Sequence, residues 1–270
     1  MPETTASLPM YDWPELRPAT DAWWAGIARA LRKEGLAGVP DRLTRGADLA
    51  ALWGAPGLLV TQTCGYPLTH AWRGRLVPLV TPEYAADDCD GPMYRSLVVV
   101  RAEGDISGLG DLRGAVAAVN DRASQSGCAA LRAVFAPVAG GGRFFSAVLE
   151  TGSHLASMAA VGLGRAEVCA VDPVVWALAQ RHRPELCAGL RPIARSPWSP
   201  GLPLATSAAR PADEIARLRA GLCAAFADPG LEAVRAALLI RGTSRLSAAD
   251  YEPIVELERT VCGARCPELA

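Results

Sequence analysis

Short apolar runs alternate along this chain with longer stretches whose apolar residues recur at helical spacing. Residues 57–62, 76–80, 94–101, 115–120, 144–151, 168–172 and 190–194 read as buried or half-buried strands, and 6–11 as a short first strand. Between them, 21–33 carries Trp24, Ile27, Ala28 and Leu31 on one helical face. Residues 126–135 and 153–163 continue the helical pattern, and 173–181 opens with proline at the favoured first position. Shorter helices are predicted at 48–53 and 107–112. After a proline-rich crossing at 196–203 the pattern turns helical, at 212–227, 229–240 and 248–260. Strands alternating with helices predict an α/β fold with mainly parallel sheets.

Composition narrows the class. With 270 residues, 50% apolar and 20% charged, the chain has ample material for a core and is not disordered. A net charge of −1 lacks the basic stripe that nucleic-acid binding requires, so no nucleic-acid partner is expected. No apolar run approaches the ~18 residues of a membrane span. The opening MPETTASLPMYDWPEL has neither a basic nor an apolar leader region, so the expectation is a cytoplasmic chain or one whose leader was trimmed. Eight cysteines (64, 89, 128, 169, 187, 223, 262 and 266) form no C-x-x-C. The one close pair, Cys262 and Cys266, lacks a second ligand pair, and no metal site is expected. Scattered thiols lean towards a reducing compartment.

Four segments could carry chemistry. In Asn120-Asp121-Arg122-Ala123-Ser124-Gln125-Ser126-Gly127 a buried strand runs into a helix start with two hydroxyls. Open N–H groups and the positive end of the helix dipole suit an oxyanion there, although plain N-capping explains the same residues. No Gly-Lys-Ser/Thr follows, so this is no Walker loop, and no cofactor is expected. In Thr151-Gly152-Ser153-His154 a second helix start places a histidine in its first turn. Asp172, ending the strand 168–172, either orients His154, accepts from a ligand or only caps the next helix. Finally, Gln62-Thr63-Cys64-Gly65-Tyr66 is a polar turn after a buried strand. Tyr11, Cys64, Tyr66, Ser124 and Asp172 all fall at strand ends, where open α/β sheets bind ligands; Tyr94 instead precedes its strand.

The ordered segments ASLPMYD, QTCGYPL, CDGPMYRSLVVVRA, LRGAVAAVNDRASQSG, TGSHLASMAAV, GRAEVCAVDPVVWAL and SPWSPGLPLAT resemble the phosphate/phosphite/phosphonate-type substrate-binding proteins of ABC transporters. The resemblance covers roughly residues 6–206. It implies a two-lobed, type II periplasmic-binding-protein clamshell, one lobe formed by 1–92 plus 198–270 and the other by 93–197, with the helical tail covering the first lobe. It further implies that Ser124, Gln125, Ser126, Gly127 and His154 hold a small oxyanion, with Tyr94 contributing from a crossing strand and Cys64 or Tyr66 from the first lobe. Where aminoalkylphosphonate binders carry acids for the ligand's amine, this chain has Val174 and Leu202, which points away from an amine-bearing ligand.

The expected function is therefore non-catalytic capture of phosphate, phosphite or a small phosphonate between lobes, by a periplasmic monomer serving an ABC permease. Two other readings use the same fold. One is an enzyme with Cys64, His154 and Asp172 as nucleophile, base and orienter. The other is a cytoplasmic ligand sensor, favoured by the missing leader.

Overall fold

Strand and helix alternate throughout the computed structural model, which describes residues 4–140, 142–262 and 269. In chain order the strands are β1 (Thr5–Ser7), β2 (Leu58–Gln62), β3 (Leu76–Tyr84), β4 (Cys89–Asp90), β5 (Met93–Tyr94), β6 (Leu97–Arg101) and β7 (Val116–Val119). There follow β8 (Ala147–Glu150), β9 (Val168–Val171), β10 (Leu190–Arg195), β11 (Ser199–Pro200), β12 (Leu204–Ser207) and β13 (Ile240–Ser244). The helices are α1 (Arg17–Lys33), α2 (Leu49–Gly54), α3 (Gly65–Thr69), α4 (Ala130–Ala139), α5 (His154–Gly162), α6 (Pro173–His182), α7 (Pro184–Ala188), α8 (Ala212–Ala227), α9 (Glu232–Ala237) and α10 (Glu252–Cys262). The chain divides into two compact α/β units. One comprises the segments up to Ala85, Asp90–Pro92 and Pro200–Tyr251; the other comprises Ala86–Cys89, Met93–Ser199 and the segment from Glu252.

The first unit is built on a sheet of order β1-β2-β12-β3-β13. Helix α1 buries Trp23, Trp24, Ile27 and Leu31 on one face and packs against α8 and α9. The approach to α8 is close because Gly221 faces Leu31: a Cβ there would stand 3.1 Å from the Leu31 Cα. Trp24 is about fully buried, yet its Nε1–H is satisfied by the Pro40 carbonyl at 3.1 Å. Tyr251, fully buried, donates its hydroxyl to the Gly201 carbonyl at 3.0 Å and accepts from Thr81 Oγ1 at 2.8 Å.

The second unit has the sheet order β10-β6-β9-β7-β8. Its core gathers Val98, Val119, Leu131 and the mutually packed rings of Phe135, Phe144 and Phe145, whose centroids lie 4.8–5.0 Å apart. Such offset and edge-on pairs add ring electrostatics to the burial of large apolar surface.

Both sheets are mixed rather than mainly parallel. Pairs β1–β2, β7–β8 and β7–β9 are parallel, while β12 runs antiparallel to β2 and β3, and β6 antiparallel to β9 and β10. Alternation fixes direction only for strands joined by a helix within one unit. β6 and β12 follow the chain's passages from one unit to the other and reverse.

Other expectations shift locally. The strand expected at 94–101 is two, β5 and β6, and the helix at 107–112 is a 3₁₀ turn at Leu109–Leu112. The helix expected over 229–240 is a 3₁₀ turn at Pro229–Leu231 followed by α9, and it stops where Leu239 takes φ 58°. Ile240 then opens β13 on the edge of the first sheet. The end of the chain also departs from the expected boundary: α10 buries Ile254, packs on α4 and belongs to the second unit, not the first. Leu269 joins the second unit's core, with its carbonyl accepting from Phe145 N–H at 3.0 Å. The Cys262/Cys266 pair falls outside the described side chains. Among the described residues, no helix is long and apolar enough to cross a membrane, and no three His, Cys, Asp or Glu side chains cluster for a metal.

Candidate functional site

Three adjacent parallel strands, β8, β7 and β9, each run at their carboxyl ends into a helix start. Strand β7 is apolar and largely buried; it leads to Asn120 and a tight turn in which Asp121 Oδ1 accepts from Ala123 N–H at 2.6 Å. Ser124 is the N-cap, its hydroxyl oxygen accepting from Gly127 N–H at 3.0 Å. The first turn, Gln125–Ala129, is π-helical and continues directly into α4. Single π turns widen a helix and recur at functional sites. First-turn N–H groups have no acceptor within their own helix, and the macrodipole places positive potential there. Ser124, Gln125 and Ser126 are all buried.

Gly127 is dictated by packing. A Cβ there would overlap the Oδ1 of Asn120, a buried oxygen with no hydrogen-bond partner among the described residues. Glycine inside a helix otherwise costs stability, so its place in Ser-Gln-Ser-Gly was the available signal for a close approach.

Strand β8 leads into α5, capped by Ser153, whose Oγ accepts from Ala156 N–H at 3.1 Å. Thr151 locks this strand end to the neighbouring one: its N–H and its hydroxyl both donate to the Val119 carbonyl. The register brings His154, in the first turn of α5, against the neighbouring helix start. His154 Nε2 lies 2.8 Å from Ser126 Oγ, and Nδ1 lies 3.1 Å from the Ala170 carbonyl oxygen of β9. Burial pushes the pKa of His154 down to about 4, and the Ala170 carbonyl only partly opposes this. The ring is neutral at physiological pH.

Asp172, 2% exposed, caps the third helix start. Its Oδ1 accepts from Val174 N–H at 2.8 Å and Val175 N–H at 3.2 Å. Gln125 turns its amide towards β11, Nε2 donating to Ser199 Oγ at 2.9 Å. Tyr94, buried in β5, lines a narrow pocket with Gln125, Ser96 and Ser199. The Gln125–Ser199 and His154–Ala170 contacts are absent from the sequence reading, because they depend on strands brought together only by the sheet. Two thiols lie among these elements, and burial pushes Cys128 upward and Cys169 up to about 12.

Tyr11, Cys64 and Tyr66 belong to the first unit. Tyr11 meets Tyr84 edge-on at 5.3 Å, and Gln62 Nε2 donates to the Tyr84 hydroxyl at 3.0 Å. These side chains line a mostly apolar cavity of about 30 Å³, room for roughly one water. Cys64 is buried at the N-cap position of α3, and Tyr66 stacks on His70 with centroids 3.9 Å apart. The ring nitrogens of His154 are engaged by Ser126 and Ala170.

The fold is that of solved binding proteins. It is similar to the binding protein component of a phosphonate ABC transporter from Pseudomonas aeruginosa, with a TM-score of 0.76 and 18% identity over 97% of this chain and 87% of that one. It is also similar to PhnD1 from Prochlorococcus marinus in complex with methylphosphonate, with a TM-score of 0.73 and 16% identity over 97% and 99% of the two chains. A Xanthomonas citri protein bound to chloride ion gives a TM-score of 0.70 and 18% identity over 96% of each. No curated protein matches the sequence at a significant level. The fold class is thus that of the two-lobed periplasmic binding proteins. Residues 59–251 match the family described as ABC transporter, phosphonate, periplasmic substrate-binding protein, and the chain belongs to that family. Its members are periplasmic substrate-binding proteins and not enzymes, so a catalytic role for Cys64, His154 and Asp172 has no support.

Proposed function

We propose that this chain captures a small phosphorus oxyanion, namely phosphate, phosphite or a small phosphonate, as the soluble component of a periplasmic ABC uptake system. The observation that carries the reading is the 2.8 Å contact between Ser126 and His154, which draws two helix starts together. Two helix starts, each with the positive end of its dipole, then lie side by side without any charged side chain joining them. The Ser124 hydroxyl, whose oxygen accepts from Gly127 N–H, keeps its own hydrogen as an adjustable donor. Val174 is buried and apolar at the third helix start, which favours a ligand without an amine. The protein works as a monomer that delivers its ligand to a permease, and no cofactor takes part.

Thermal unfolding with phosphate, phosphite, methylphosphonate, aminoethylphosphonate and sulfate tests this directly. At a hundred times its Kd a ligand adds about 2.7 kcal/mol, a shift of several degrees for a chain of this size. A phosphorus oxyanion is expected to raise the midpoint, and Ser126→Ala to abolish the rise. The same panel on Tyr11→Phe, Cys64→Ala, Tyr66→Phe and Tyr94→Phe measures what those side chains contribute. If no oxyanion moves the midpoint at millimolar concentration, the reading fails.

A further inference from the structure

The contacts of His154 fix where its proton sits. A carbonyl oxygen only accepts, so the 3.1 Å contact to Ala170 requires the hydrogen on Nδ1. Burial keeps the ring neutral, with a pKa of about 4, so Nε2 is bare and accepts from the Ser126 hydroxyl. No charged neighbour alters this. The candidates on the elements packed against α5 are Arg101 of β6, Cys169 of β9, Asp172, Arg181 and His182 of α6 and its cap, Glu185 and Cys187 of α7, and Arg191 and Arg195 of β10. Asp121 and Arg122, ahead of the Ser126 helix start, are exposed. None of these contributes to the shift, which comes from burial and the Ala170 carbonyl alone.

Ser126 Oγ and His154 Nε2 therefore share one proton. While it stays in their mutual contact, the pair turns only lone pairs towards a ligand. If Ser126 rotates to donate to the ligand, Nε2 is stranded as an acceptor without a hydrogen. A fully ionised oxyanion carries acceptors only and leaves either arrangement one proton short.

We propose that His154 reads the protonation state of the ligand: the site takes a phosphorus oxyacid as its hydrogen-bearing monoanion, whose P–OH supplies the missing proton to the Ser126–His154 pair. This rests on the oxyanion reading above and names the species that reading admits. Phosphorus oxyacids with a second ionisation near neutrality qualify, whereas sulfate and sulfonates, with no proton to give at neutral pH, are disfavoured. The selectivity follows from a bare acceptor that only a donor can satisfy.

Isothermal titration with methylphosphonate and its near-isostere methylsulfonate, from about pH 5.5 to about 9, tests the inference. Methylphosphonate affinity is expected to stay level below the second ionisation of the ligand and to fall tenfold per pH unit above it. Methylsulfonate is expected to bind roughly ten- to a hundredfold more weakly at neutral pH, the cost of an unsatisfied buried acceptor. In His154→Gln, whose amide can donate, the pH slope and the discrimination should both disappear. Nitrogen NMR of His154 in the wild-type complex should show the same Nδ1–H tautomer as the free protein. Affinity that is level through the ionisation, a slope that survives in His154→Gln, or an Nε2–H in the complex would each overturn the proposal. Failure of folded wild-type protein to bind phosphate, phosphite or methylphosphonate at any pH would instead overturn the oxyanion reading, and this inference with it.

Discussion

Ser126 Oγ and His154 Nε2, 28 residues apart in sequence, meet at 2.8 Å because their helices start from the ends of neighbouring parallel strands. The pairing Val119↔Glu150 sets the register, and Thr151 pins the two strand ends together. A helix start alone is a common place for a capping serine. Two of them, joined by a serine–histidine hydrogen bond, stand side by side at the carboxyl edge of a sheet, where open α/β folds bind ligands.

Stability should fall between pH 6.5 and 4 because of His154. Its folded-state pKa of about 4 lies below the ordinary 6.5. Above about 6.5 both states are neutral at this group and its contribution is fully present. As pH drops, the unfolded chain takes up a proton that the folded chain refuses, costing up to about 3 kcal/mol by pH 4. Urea unfolding at several pH values should show wild type losing more stability than His154→Gln over that window. Equal losses in the two proteins would contradict the assignment of His154 as a half-buried ring held neutral in the folded state.

Gly127→Ala should destabilise the second unit by about 1–3 kcal/mol, since its methyl group overlaps Asn120 Oδ1. The cause is one oxygen, so Asn120→Ala should recover most of the loss in the double variant. Oxyanion affinity should drop in Gly127→Ala, because the helix start must shift to relieve the overlap. Chemical denaturation of the four proteins of this cycle reads the coupling, and strict additivity would refute a direct clash.

The alternation of strands and helices, and the helix starts at Ser124, Ser153 and Asp172, were legible in the sequence because each rests on local chemistry: apolar runs, capping side chains and a proline at a first helical position. What was not legible depends on pairing. β13 contains Arg241-Gly242-Thr243-Ser244, with no apolar alternation, and is a strand only because β3 offers it an edge. The assignment of α10 to the second unit depends on which apolar surface it meets, and that surface is α4. Ser124, Ser126 and His154 could be chosen from sequence one by one. The 2.8 Å contact, the Ala170 carbonyl that sets the tautomer and the Gln125–Ser199 link could not, since each crosses between strands distant in the chain.

Tyr251 and Thr81 should behave as one unit in the first α/β body. The Tyr251 hydroxyl donates to Gly201 and accepts from Thr81, and both side chains are fully buried. Tyr251→Phe leaves the Thr81 hydroxyl and the Gly201 carbonyl short of a partner and should cost about 1–3 kcal/mol. Thr81→Val should cost a similar amount. The double variant removes the mutual bond only once, so its cost should fall short of the sum, as equilibrium unfolding of the four proteins would show.

Asp172 separates capping from ligand contact. Its Oδ1 accepts from two N–H groups of the first turn of α6, so Asp172→Ala should cost about 0.5–2 kcal/mol of stability. Asn and Ser cap nearly as well as Asp, so Asp172→Asn and Asp172→Ser should restore most of that loss. If capping is the whole of its role, methylphosphonate affinity at neutral pH should be the same in Asp172→Asn as in wild type, once both proteins are shown to be folded. A carboxylate that also accepted from a ligand hydroxyl would give the opposite pattern: stability close to wild type in Asp172→Asn, with affinity lost. Titration calorimetry alongside thermal unfolding separates the two outcomes, and the second would move Asp172 from the helix cap into the ligand's own set of partners.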